Sequence, residues 1–144
     1  MKARFQGFEA KIRQSFARQD MMATLGAELL RVAPGDVEIA APVLDEMRQQ
    51  HGFAHAAVSF ALGDSAAGYA ALSLMDEPDE VLTVEMKIYL LAPAQGERLV
   101  AKGHVVRPGR RLVVVDAGVW AETGGERVQV ALLQGTMIPV PGSG

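Results

Sequence analysis

The chain has 144 residues, enough for one domain and too few for two of ordinary size. Apolar residues make up 49% and charged ones 22%, a globular balance that argues against disorder. Fourteen Lys and Arg against seventeen Asp and Glu give a net charge of −3, so no general attraction to nucleic acid is expected. There are no cysteines. That excludes a disulfide scaffold, a thiol nucleophile and metal sites built on thiolates, and it suits a reducing cytoplasm, the expected location.

Met1–Phe5 lacks the apolar run of a signal peptide. Phe5, Phe8, Ile12 and Phe16 fall on one helical face, and this helix is expected to fade near Gly26. Ala27–Val32 and Val37–Val43 read as two short strands around Ala33-Pro34-Gly35-Asp36. A second helix, rich in Ala and Gly, runs from about His55 to Leu74. It is long enough to span a membrane, but Asp64 stands at its centre with Ser59, Ser65 and Ser73 around it. A carboxylate in lipid costs several kcal/mol, so a buried helix and no membrane partner are expected.

Asp76-Glu77-Pro78-Asp79 ends that helix, and the hydrophobic period then becomes two. Leu82, Val84, Met86, Ile88 and Leu90 alternate with Thr83, Glu85, Lys87 and Tyr89, predicting a strand whose first set is buried. Leu99–Arg107, Arg111–Ala121 and Arg127–Ile138 read as three more strands. Turns at Pro93–Gly96, Pro108-Gly109 and Thr123-Gly124-Gly125 join the four into a meander. Pro139–Gly144 reads as coil. The expected fold class is α+β, an antiparallel sheet wrapped around a central helix, with an additional N-terminal helix and one domain over residues 1–144. Gly63 and Gly68 lie inside the central helix, where each costs about 1 kcal/mol relative to Ala, and close packing is the expected reason.

The informative stretch is Gln49-Gln50-His51-Gly52-Phe53-Ala54-His55-Ala56-Ala57, running into Ser59–Gly68. Gln49 stands six residues before His55, Gly52 three before and Asp64 nine after. This order resembles the hotdog-fold thioesterases of the phenylacetate-degradation (PaaI-like) type. Their signature is a Gln or Asn, then Gly-x-x-His-Gly-Gly, then a helix with an acidic residue nine positions after the His. Leu82–Ile88 and Val106–Arg110 are similar to the family as well, so the resemblance runs from about Phe8 to Ile138. It implies a hotdog fold and hydrolysis of an acyl-CoA thioester to a free acid and coenzyme A. It implies no cofactor, since coenzyme A arrives as part of the substrate, and a homodimer or a dimer of dimers. The departure is Ala56-Ala57 in place of Gly-Gly. Alanine keeps the backbone N–H and fits wherever φ is negative, as expected for residues that open a helix.

The same chemistry follows from the residues. Thioester hydrolysis develops negative charge on the carbonyl oxygen, and a helix N-terminus offers free N–H groups to receive it. The Ala56 N–H and the Gln49 amide would make an oxyanion hole. Asp64, the one carboxylate of its helix, would activate water or attack the acyl carbon itself. Ala56 and Asp64 are eight residues apart, about 12 Å along the axis. One copy of the helix cannot bring both to one carbonyl. Two antiparallel copies across a two-fold axis can, so a composite dimer site is expected.

His55 is expected to fix the loop at the helix start more than to move protons. The resemblance implies that Thr83 hydrogen-bonds the carboxylate or the water. It also places Gly52, Phe53, Ala57 and Val84 against substrate. Arg107 and Arg110, at a hairpin tip, are candidates for the coenzyme A phosphates. Phe53, Tyr69 and Met86 are candidates for the acyl pocket or the core. His51 and His55 lack a third ligand, so no metal is expected. Two rival readings stand. One is a hydratase or dehydratase using Asp64 with His55. The other is a non-catalytic acyl-CoA-binding module, suggested by Ala56-Ala57.

Overall fold

The computed structural model describes residues 1–142. Helix α1 covers Phe8–Ala17 and helix α2 Asp20–Thr24. The expected single N-terminal helix is thus broken at Arg18 and Gln19, and Gln19 adopts extended backbone as the N-cap of α2. Strands β1 (Glu28–Ala33) and β2 (Asp36–Pro42) form a hairpin across Pro34-Gly35. Gly35 takes φ +77°, which a side chain would resist.

Helix α3 (Ala56–Leu72) follows, then β3 (Asp79–Leu90), β4 (Arg98–Pro108), β5 (Val113–Thr123) and β6 (Glu126–Pro141). Ser73 closes α3. Its hydroxyl donates to the Ala70 carbonyl at 2.6 Å and accepts the Gly35 N–H at 2.7 Å, tying the helix end to the β1–β2 turn. All pairings are antiparallel, in the order β1-β2-β4-β5-β6-β3.

The sheet wraps α3 as expected, but three expectations need correction. First, only β4, β5 and β6 form a meander; β3 lies at the far edge beside β6, not beside β4. β6 has 16 residues and offers β3 a partner along its whole length, and residues 91–97 carry the chain back across the sheet. Second, the alternation along β3 is interrupted. The register shifts between Thr83 and Glu85, a bulge that leaves Val84 without an opposite residue. A one-residue shift exchanges the faces. Val81 packs inward before it, Met86 and Ile88 after it, while Leu82 and Val84 are 56% and 54% exposed. Third, β6 continues through Pro139–Pro141, paired with Asp79–Val81, so this part of the tail is strand. Pairing with β5 stops at Met137, so the prolines deprive no strand on that side of a donor. Ser143 and Gly144 lie outside the described residues.

The core is the contact between α3 and the sheet. Leu62, Ala66, Ala67, Ala70 and Ala71 are wholly buried. On β4, a Cβ at Gly103 would lie 2.1 Å from the Ala66 carbonyl carbon, so strand backbone meets helix backbone directly. Gly63 is closely packed as well, since a Cβ there would lie 2.7 Å from Leu133 Cδ1 and that side chain would have to shift. Gly68 is not: the nearest atom is Met137 Cε at 3.8 Å. No helix among the described residues is long and apolar enough to cross a membrane.

Substituting the two glycines should separate these cases. Gly103→Ala is expected to cost about 1–3 kcal/mol by overpacking. Gly68→Ala should add about 0.5–1 kcal/mol by relieving the helix-interior penalty. Urea unfolding of both variants reads the signs, and equal signs contradict this account of the packing.

Candidate active site

The loop before α3 is built by its own backbone. Gln49 N–H donates to the Phe53 carbonyl at 2.8 Å, and Gly52 N–H donates to the Gln49 carbonyl at 3.0 Å. Gly52 has φ +86°, which explains a glycine here. The Gln49 side-chain oxygen accepts the N–H of His51 at 2.6 Å and of Phe53 at 3.3 Å. Those bonds orient the amide. Its oxygen is engaged by the loop, and its two N–H donors are left for other partners.

His55 is the N-cap of α3. Its Nδ1 accepts the Ala57 N–H at 2.9 Å, and its own N–H donates to the Met47 carbonyl at 2.8 Å. Val58 N–H donates to the His55 carbonyl at 2.9 Å. The Ala56 N–H has no acceptor among the described residues. Among the described residues no non-glycine residue has positive φ, so Ala56 and Ala57 sit in the helix without strain. Gln49 and Ala56 line one cleft of about 590 Å³, together with Phe53 and Ser59.

Asp64 stands about two turns further along α3 and opens into a different cavity, of about 280 Å³. Its Oδ1 accepts the Thr83 hydroxyl at 2.7 Å, a bond across from helix to edge strand. Ser15, Gln19, Ser65 and Tyr69 line the same cavity. The donor cleft and the carboxylate cavity are therefore separate within one chain. Between them, α3 leaves a stripe half uncovered: Ala57, Phe60, Ala61 and Asp64, at i, i+3, i+4 and i+7. The edge of the sheet is uncovered as well, with Leu82, Val84 and Leu90 at 54–60% exposure on β3.

The structure brings Gln49, Phe53 and Ala56 together, and it brings Asp64 and Thr83 together. Several other candidates lie apart. Gly52 and Ala57 do not line the cleft, and Val84 lies on the bulge and lines neither cavity. Met86 packs on the core, whereas Tyr69 lines the Asp64 cavity. Arg107 is exposed at the β4–β5 tip. Arg110 borders a third cavity with Arg4, Asp76 and Asp79, away from both others. Neither arginine forms an ion pair among the described residues. Sequence reasoning missed the part of the cleft wall from the end of β3 and the loop after it, Leu90, Leu91 and Ala94. The Ala54 N–H holds this loop through the Ala94 carbonyl at 2.9 Å, a backbone contact that leaves no side-chain signature.

A fold of this kind has known counterparts. The family model of the thioesterase superfamily matches residues 51–128, more than half of the chain. The chain belongs to the thioesterase superfamily. The crystal structure of a thioesterase family protein from Silicibacter pomeroyi is 46% identical, with a TM-score of 0.92 over 94% of this chain and 100% of that one. Two further structures share the fold at lower identity. The PaaI protein of the Escherichia coli phenylacetic acid degradation operon is 20% identical, with a TM-score of 0.84 over 94% of each chain. A thioesterase of Haemophilus influenzae is 19% identical, with a TM-score of 0.84 over 98% of this chain and 96% of the other. The fold is the PaaI-like hotdog, and the general chemistry of the family is thioester hydrolysis.

The capping role of His55 is open to a direct check. His55→Ala should cost about 1 kcal/mol, while His55→Asn, which keeps an acceptor at the N-cap, should recover most of it. Thermal unfolding of the two variants measures the difference. Equal losses would mean that the Nδ1 bond contributes nothing.

Proposed function

We propose that this chain hydrolyses an acyl-CoA thioester to a free carboxylic acid and coenzyme A, at a site shared by two copies. The observation that carries the reading is the separation of the two half-sites. One chain holds the unpaired Ala56 N–H and the Gln49 amide in one cleft, and Asp64 with Thr83 in another cavity. The uncovered stripe on α3 runs from one to the other. Packing two such stripes antiparallel sets Asp64 of one copy opposite Ala56 of its partner. It also covers apolar surface that would otherwise face water. Homodimers, alone or paired as a dimer of dimers, follow from this arrangement.

In the proposed reaction the thioester carbonyl accepts hydrogen bonds from the Ala56 N–H and the Gln49 amide. Asp64 takes a proton from water, the water oxygen attacks the acyl carbon, and the C–S bond breaks. The proton then passes to the departing coenzyme A sulfur. Direct attack by Asp64 through a mixed anhydride uses the same geometry. The Thr83 hydroxyl holds the carboxylate and leaves its second oxygen free. Only side-chain and backbone groups act, and coenzyme A enters with the substrate. Arg107 and Arg110 are free to meet its phosphates across the dimer, and a cytoplasmic location suits that substrate.

The rivals have less support. Negative φ at Ala56 keeps the donor where a glycine would place it, which removes the motive for a binding-only module. A hydratase needs Asp64 and His55 as a pair, but His55 Nδ1 is engaged in capping α3.

Ala56 is the first residue of its helix, where proline is tolerated and lacks only the N–H. Ala56→Pro should keep the melting temperature and lower kcat by about 10²–10³. Asp64→Asn should lower kcat at least about 100-fold. Thiol release from a panel of short, medium, long and aryl acyl-CoAs measures both. Mixing the two inactive variants after unfolding and refolding should restore about a quarter of wild-type activity. Half of the dimers are then mixed, and each mixed dimer has one intact site. No recovery on mixing would mean that each chain carries its own complete site.

A further inference from the structure

Among the described residues two polar side chains are buried, Ser59 within α3 and Ser73 at its end. Ser73 is used twice, as a donor to the Ala70 carbonyl and as an acceptor of the Gly35 N–H. The hydroxyls of Ser15 and Ser65 have partners as well. Ser59 differs. It is 1% exposed, and its hydroxyl makes no hydrogen bond among the described residues. A serine inside a helix commonly turns its hydroxyl back to a carbonyl three or four residues earlier, as Ser73 does. Ser59 does not, although an unmet buried hydroxyl is destabilising. An alanine, the commonest residue of this helix, would fill the place without that cost.

The hydroxyl has one outlet. No side-chain polar atom among the described residues is both sealed from the surface and without a partner. The Ser59 oxygen therefore reaches a surface, and the surface that Ser59 lines is the wall of the donor cleft, with Gln49 and Ala56. Ser59 lies three residues after Ala56, and residues so spaced share a helix face, with Cβ atoms about 5–6 Å apart. Helical side chains lean toward the N-terminus, so a group at position 59 covers the turn that begins at position 56. An oxygen accepting the Ala56 N–H stands where this hydroxyl can also reach it. Ser59 is not part of the uncovered stripe on α3, so its burial does not depend on a second copy.

We propose that Ser59 is a catalytic residue whose hydroxyl donates a third hydrogen bond to the thioester carbonyl oxygen, beside the Ala56 N–H and the Gln49 amide. The inference rests on the hydrolase reading of the same site. The oxygen gains a lone pair as the water oxygen attacks the acyl carbon, so a third donor is engaged most strongly in the transition state. A hydroxyl supplies that donor without placing a charge in the cleft.

The test compares wild type with Ser59→Ala and Ser59→Cys on the acyl-CoA that wild type releases fastest. Both variants should lower kcat at least about tenfold with KM nearly unchanged. Ser59→Ala should keep or raise the melting temperature. Ser59→Cys keeps the volume but donates weakly, and it carries the result where Ser59→Ala unfolds. Two inert analogues of the same chain length then locate the contact by calorimetry. In one, a methylene group replaces the sulfur and the carbonyl is kept. In the other, an S-alkyl-CoA, the sulfur is kept and the carbonyl is absent. The variants should bind the ketone about three- to tenfold more weakly and the thioether as wild type does. Wild-type kcat in both variants would overturn the inference and leave hydrolysis standing. So would an equal change in affinity for the two analogues, none included. No thiol release by wild type from any acyl-CoA would overturn the inference and the hydrolase reading together.

Discussion

The backbone-to-backbone approach of β4 to α3, at Gly103 and Ala66, is the constraint on which the rest depends. Only a glycine opposite an alanine-rich helix allows a strand so close. With the helix held at that depth, the sheet curls around it, and most of α3 is withdrawn from water. A helix that is apolar all round must be covered on every side. The sheet covers most of α3 and leaves one stripe, and the single carboxylate of the helix lies in that stripe. Asp64 thus stays near the surface of a chain whose centre is mainly apolar. It escapes the full desolvation cost of a buried charge and remains open to a substrate or a second copy.

The bulge in β3 serves the same arrangement. With strict alternation, Thr83 and Met86 would point to opposite faces. Inserting Val84 lets both face α3, so one strand supplies the hydroxyl for Asp64 and, two pairs later, apolar side chains for the core. The consequence is an outward pair, Leu82 and Val84, on the free edge of the sheet. An unpaired edge with apolar side chains invites association, and in this chain it lies beside the uncovered stripe of α3. The device that orients the carboxylate and the exposed apolar edge have one origin.

Much of this was legible in the sequence. The central helix appears within two residues of its expected bounds because its composition changes sharply at both ends. The β1–β2 hairpin follows from Pro34-Gly35, and the β4–β6 meander from its turn residues. The spacing around His55 carried the family resemblance, and the eight residues between Ala56 and Asp64 pointed to a carboxylate separate from the helix start, because helix rise converts sequence separation into distance. What stayed hidden was non-local. Strand order depends on which partner matches β3 in length. The bulge produces no local signal, since Thr83-Val84-Glu85 continues a perfect alternation. Gln19 belongs to no motif, and only tertiary packing brings it to Tyr69 and Ser65.

The alanine pair at the helix start shows how a local pattern can change without changing what it offers. A helix begins with unpaired N–H groups, and a cap engages some of them. Here the His55 side chain takes the Ala57 N–H, and its carbonyl takes that of Val58. The Ala56 N–H is the one left over, and Ala56 lines the same cleft as Gln49. A glycine at position 56 would present the same donor, because nothing in this backbone calls for positive φ. The methyl group therefore alters the shape of the cleft and not its electrostatics. The cap also fixes the direction of the donor. In the oxyanion site proposed above, His55 is therefore a positioning residue, which engages the neighbouring N–H.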